Sequence, residues 1–144
     1  MKLGFTGTRH GMTTAQLQAF TAYVRRERPT RFHHGGCLGA DAQAHRIVRV
    51  VLGLACPIEV WPSNIDGWRA DIPGGAGVLI HEPQDPLLRN HQIVNLVDKL
   101  FVTPESAKEI YRSGTWTTYR YAKRVGRRIV LCNPAGEVNE VCDV

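Results

Sequence analysis

The sequence predicts an α/β fold, a three-layer α/β/α arrangement around a mostly parallel sheet. Three observations carry that expectation. Short apolar or β-branched runs alternate with segments whose apolar residues recur at helical spacing. Each stretch between strands is long enough for a helical crossover, and such crossovers are right-handed and set neighbouring strands parallel. The turns after several strands are also rich in glycine, serine and threonine, at the positions where sheets of this kind hold ligands.

In chain order, Leu3 to Thr6 reads as a short strand ended by Gly7-Thr8-Arg9-His10-Gly11. Thr13 with Gln16 forms a capping box, and Leu17, Phe20 and Val24 fall on one helical face before Pro29 stops the helix. Arg31 to His34 is a second strand of weaker apolar content. Gly35-Gly36-Cys37-Leu38-Gly39 leads from it into a helix lined by Ala40, Ala44, Ile47, Val48 and Val51. Ile58 to Trp61 is a third strand closed by Pro62. Ser63 to Pro86 is rich in Gly, Pro and Asp, and a loop of that length is expected to be functional or mobile, a candidate lid. Within it Val78 to Ile80 suits a short strand. Leu87 to Val97 is a helix, Lys99 to Thr103 a strand, Ser113 to Gly126 a helix and Arg128 to Cys132 a last strand. The residues from 135 to 144 are expected to be a peripheral tail.

The length of 144 residues suits one domain with its own core, and the 43% hydrophobic and 22% charged content is ordinary for a soluble globular chain. No apolar run reaches membrane-spanning length, and MKLGFTGTRHGM lacks the apolar region of a signal peptide. Cys37, Cys56, Cys132 and Cys142 form no close pair, which argues against a zinc knuckle or a redox CxxC and fits reduced thiols in a cytoplasm. A formal charge of +5 favours anionic ligands without establishing nucleic-acid binding.

The stretch RSGTWTTYRYAKRVG, residues 112–126, carries the strongest chemical signal. A serine or threonine at a helix start leaves backbone N–H groups pointing outward, a glycine admits a ligand to that backbone, and the helix dipole adds partial positive charge. The turns at Thr6 to Gly11, Gly35 to Gly39 and Ser113 to Thr115 are expected to gather along one edge of the sheet as an anion or nucleotide site.

GFTGTR, HHGGCLGADAQAH, Arg89-Asn90 and SGTWTTYRYAKRVGR together resemble the SLOG superfamily. Those Rossmann-like domains include the DNA-processing protein A family, the Lonely Guy phosphoribohydrolases and nucleotide sensors of bacterial antiphage defence. The resemblance implies ligand-binding roles for Gly7, Thr8 and Arg9, for Gly35, Gly36, Gly39, Ala40 and Asp41, for Arg89 and Asn90, and for Ser113, Gly114, Thr115 and Thr118. It also implies a homo-oligomer, dimer or higher. Trp68 in the long loop is the best candidate to stack on a base, with Arg69 beside it, while Trp61 suits the core and Trp116 helix packing.

One departure bears on mechanism. Lonely Guy enzymes place a glutamate pair where this chain has Thr117 and Thr118, and a threonine hydroxyl does not titrate near neutral pH. Asp41, Asp71 and Glu82 are the carboxylates that stand as replacements. No cofactor and no metal are expected; His33, His34 and His45 lack a completing ligand at a convincing spacing. The expected function is capture of a nucleotide or nucleotide-derived signal, ADP-ribose-like or cyclic. With no effector region in this stretch, capture is expected to serve sensing through a partner or sequestration. A nucleotide N-glycosidase and a single-stranded DNA binder are the alternatives, the latter drawing on Arg120, Lys123, Arg124, Arg127 and Arg128, which otherwise form a solvated face.

Overall fold

The computed structural model describes residues 1–141. Among them the chain forms β1 (Lys2–Gly7), α1 (Thr14–Glu27), β2 (Arg31–His34), α2 (Ala40–Leu52), β3 (Ile58–Val60), β4 (Val78–Ile80), α3 (Pro86–Leu96), β5 (Lys99–Thr103), α4 (Gly114–Arg124), β6 (Arg128–Cys132) and β7 (Val138–Val141). One sheet runs β4-β3-β2-β1-β5-β6-β7, parallel throughout except for β7, which is antiparallel to β6. The fold is therefore the expected Rossmann-like α/β/α domain. Strand order reverses about β1: the chain first builds outward through β2, β3 and β4, then returns to lay β5 and β6 on the other side.

Two apolar layers hold the helices to the sheet. α1 packs against α2, and α3 against α4. Leu3, Phe5, Phe32 and Phe101 join Phe20, Tyr23, Val24, Ala44 and Val48 in one layer. Leu100, Val102 and Ile129 join Ile93, Val94, Trp116 and Tyr119 in the other. The strands serve both layers because successive side chains alternate faces, as Phe101 does between Leu100 and Val102. Gly4 lets α3 come close to β1, since a Cβ there would meet Val97 and Ile93 at 3.0–3.1 Å. The capping box at Thr13 and Gln16 is present. Gln16 is itself buried, and its Nε2 donates to the carbonyls of Pro104 (2.9 Å) and Cys132 (3.1 Å), tying α1 to the ends of β5 and β6.

Three details go beyond the sequence reading. The tail, expected to be peripheral, adds at residues 138–141 the edge strand β7, which the sequence reading did not include, and residues 142–144, with Cys142, lie outside the described residues. Asn133 to Glu137 makes the hairpin turn, with Gly136 at φ 83°, and brings Val138 to Val141 back beside β6. The weakly apolar β2 is buried inside the sheet. Its His34 is satisfied internally: Nδ1 accepts from the Gly36 N–H at 2.9 Å, and Nε2 lies 2.9 Å from Nδ1 of His45. That pattern places the His34 proton on Nε2 and the His45 proton on its own Nε2.

The long loop is tied to the turn after β2 at one point. Leu38 N–H donates to the Trp68 carbonyl (3.0 Å) and Ala70 N–H to the Gly36 carbonyl (2.8 Å), so Trp68 to Ala70 pair with the turn after β2.

Candidate functional site

A cleft of about 540 Å³ opens at the carboxyl ends of β1, β2 and β5, where strand order reverses. That volume suits a nucleotide-sized ligand. Across this edge, from β5 through β1 to β2, the wall is made successively by the first turn of α4, the Thr8–His10 turn, and Gly35 with Asp41. Trp68 stands beyond, on the segment paired to Leu38.

The turns are locked to one another by backbone. Thr8 N–H donates to the Thr103 carbonyl (3.3 Å), and the Thr8 carbonyl accepts from Ala40 N–H (3.0 Å). The start of α2 is thereby held against the end of β1. Gly7 and Gly39 make this contact possible: a Cβ on Gly7 would collide with Thr103 and Ala40, and one on Gly39 with the Arg9 carbonyl, at φ 84°.

At α4, Ser113 caps the helix by accepting from Trp116 N–H at 3.3 Å, and Thr117 N–H donates to the Ser113 carbonyl. The N–H groups of Gly114 and Thr115 have no acceptor within the turn, as the start of any helix leaves them. A Cβ at Gly114 would meet nothing within 4 Å, so that backbone faces open space. The positive end of the helix dipole points the same way.

On the opposite wall Arg89 is only 5% exposed. Its Nη1 donates to the carbonyls of Gly35 (2.7 Å) and Trp61 (2.9 Å), its Nη2 to Cys37 Sγ (3.3 Å), and its Nε has no partner. Among the described residues no carboxylate lies within 4.0 Å of it. Asp41 is 6% exposed; Oδ2 accepts from Cys37 N–H at 3.2 Å and Oδ1 has no partner. Burial pushes its carboxyl up to about 6, opposed by the charge of Arg89 and by the hydrogen bond from Cys37 N–H. Burial also raises the Cys37 thiol above its ordinary value, which disfavours the thiolate. At the mouth the Arg9 guanidinium lies 4.2 Å from the centre of the Trp68 ring, and His10 Nδ1 sits 2.9 Å from Glu105 Oε1.

The cleft brings together Gly7, Thr8, Arg9, Gly35, Asp41, Trp68, Arg89, Asn90, Ser113, Gly114 and Thr115 from the residues the sequence singles out. Gly36, Gly39, Ala40, Arg69 and Thr118 do not line it. Gly36, at φ 65°, backs onto Val60, and Ala40 is in the core. Arg69 turns back to its own loop, donating to the Ser63 carbonyl (2.9 Å) and to Asp66 (2.8 Å). Thr118 is buried and donates to the Gly114 carbonyl, while its neighbour Thr117 lines the cleft. Of the candidate replacement carboxylates, Asp41 alone is in the wall; Asp71 and Glu82 are exposed elsewhere.

Several lining residues carried no sequence signal. Glu105 and Ile110 come from the segment between β5 and α4, which ends at Arg112, so the SGT turn does not directly follow its strand. Ile110 is an apolar residue left 49% exposed in a polar stretch, next to the still more exposed Tyr111. Phe5 enters because β1 ends at the floor, beside Thr6 of the first expected turn.

Compared with known proteins, the chain matches no protein-family model and no curated protein.

Proposed function

We propose that the cleft captures a nucleotide or nucleotide-derived signalling molecule, with a phosphate on the first turn of α4 and the base toward Trp68. The observation that carries this reading is the open space beside Gly114 together with the N–H groups of Gly114 and Thr115, which have no acceptor, on a helix start inside a cleft of nucleotide size. The SLOG resemblance of the surrounding motifs agrees with it. Arg89 supports the site from behind: its guanidinium is committed to backbone carbonyls, so it adds positive potential and stiffens the Gly35 turn more than it clamps a phosphate. Capture without turnover, by a sensor or a sequestering protein, follows from threonines at the two positions where the resembling enzymes carry glutamates.

A second reading, N-glycoside hydrolysis, is favoured by one observation. Asp41 is a cleft carboxyl pushed up to about 6, within the range in which a carboxylic acid can donate a proton to a leaving base.

Mass spectrometry of small molecules released by denaturing the purified protein separates the two. An intact nucleotide or ADP-ribose derivative, rebound tightly in calorimetry, supports capture. Free base with ribose phosphate, or steady loss of an added nucleotide, supports the hydrolase. No binding of any nucleotide by a folded protein removes both.

A further inference from the structure

We propose that Asp41 makes the cleft selective for ribose over deoxyribose, so that its ligands are ribonucleotides. This rests on the nucleotide reading of the same cleft and adds which part of the nucleotide each wall meets.

The order of groups along the sheet edge leads to it. The anion-binding backbone lies at the β5 side, on α4. The aromatic face lies at the far side, on Trp68 beyond β2. A 5′-nucleotide spanning that distance places its sugar between the two, over the turn that follows β2. Asp41 lines the wall there. A carboxylate repels phosphate, so Asp41 cannot be the phosphate's own partner; it suits a group that donates hydrogen bonds, and the sugar hydroxyls are such donors.

Asp41 also has the capacity. It is 94% buried by complement of its 6% exposure, one carboxylate oxygen is held by Cys37 N–H, and the other has no hydrogen bond from the protein. A buried acceptor left without a donor is costly, and a ligand hydroxyl relieves that cost. The absent side chain at Gly35 matters to the same point. A Cβ there would stand 3.0 Å from Asp41 Oδ2 and 2.8 Å from Arg89 Cζ, so the glycine leaves room for both charged groups at the wall.

Calorimetry on the full chain tests this, using the four ribonucleoside 5′-monophosphates with their 2′-deoxy and 3′-deoxy counterparts, on wild type and Asp41→Ala. The wild type is expected to bind its preferred ribonucleotide about 10-fold or more tightly than at least one deoxy counterpart, as loss of a charged hydrogen bond implies. Asp41→Ala is expected to bring that ratio to within about twofold, because it removes the acceptor from both measurements alike. Asp41→Asn, which keeps the shape and removes the charge, serves if the alanine variant does not fold, and is expected to lower the ratio. Equal affinity of wild type for ribo and both deoxy forms overturns ribose selectivity while leaving nucleotide capture standing. An undiminished ratio in the folded variants overturns the assignment to Asp41. No binding of any of these nucleotides overturns capture and selectivity together.

Discussion

The turn after β2 and the turn before α4 look alike in sequence, each a glycine-bearing stretch opening a helix, yet their glycines answer to different demands. In Gly35–Gly39 the glycines are required by the protein itself. Gly36 and Gly39 take left-handed φ values of 65° and 84°, and added Cβ atoms would meet Val60 or the backbone of Arg9. At Gly114 the backbone is ordinary and the space beside it is empty. A glycine motif therefore reports two things that only coordinates separate: where chain must pass close to chain, and where chain is left open to something else.

The sharpest way to break this comparison is to place valine on each side of it. Gly39→Val is expected to destabilise the protein by about 3 kcal/mol or more, since backbone strain and a collision with backbone act together. Urea denaturation reads this directly. Gly114→Val is expected to shift stability by less than about 1 kcal/mol, because valine is no worse than glycine in a helix. Its effect should appear in binding, as at least a 10-fold loss for nucleotides and for inorganic phosphate. Unchanged affinity in a folded Gly114→Val protein would remove the α4 turn from the site.

Arg89→Ala sharpens the comparison next, because this side chain belongs to the structural turn more than to the open one. Removal leaves the Gly35 and Trp61 carbonyls without their donor, and a loss of about 2–3 kcal/mol in folding stability is expected. A stable Arg89→Ala protein with weakened nucleotide binding would instead return Arg89 to a direct ligand role.

The smallest effect is a matter of pH. Asp41 is raised when folded, so the folded state takes up its proton first, and this residue contributes stability below about pH 4 that is lost as pH rises through about 6. His34 and His45 work the other way. Burial lowers both, with His45 and Arg89 adding to the effect on His34 and Arg49 and Arg46 to that on His45, so their contribution is present above about pH 6.5 and lost as pH falls below it. Asp41→Asn is therefore expected to be more stable than wild type near pH 7.5, by on the order of 1–2 kcal/mol, with the gain gone by about pH 4. Thermal melts across that range check the sign; a gain that grows on acidification would show that Asp41 is not raised in the folded protein.

Periodicity and capping made the helices and most strands legible. Thr13 with Gln16, Ser113 before α4 and the apolar spacing of α2 are local signals, since each depends on residues within a turn or two. The grouping of the three turns at one edge followed from the alternation of strand and helix, because a parallel sheet puts all such turns at the carboxyl ends. Thr118 and Arg69 were not legible in the same way. Which face of α4 looks into the cleft, and whether a long side chain reaches outward or folds back onto Ser63 and Asp66, depends on packing.

By itself, then, the sequence determined the α/β class, the boundaries set by caps and prolines, and the neighbourhood of the cleft, because these come from local propensity and the period of apolar residues. Tertiary structure alone decided three other matters: that residues 138–141 close the sheet as β7, that residues 104–112 wall the mouth of the cleft, and that Asp41 and Arg89 share its buried wall. Each depends on groups brought together from distant parts of the chain. Solvation, charge and hydrogen-bond supply at such a meeting point are properties of the folded surroundings, and no window of sequence contains them.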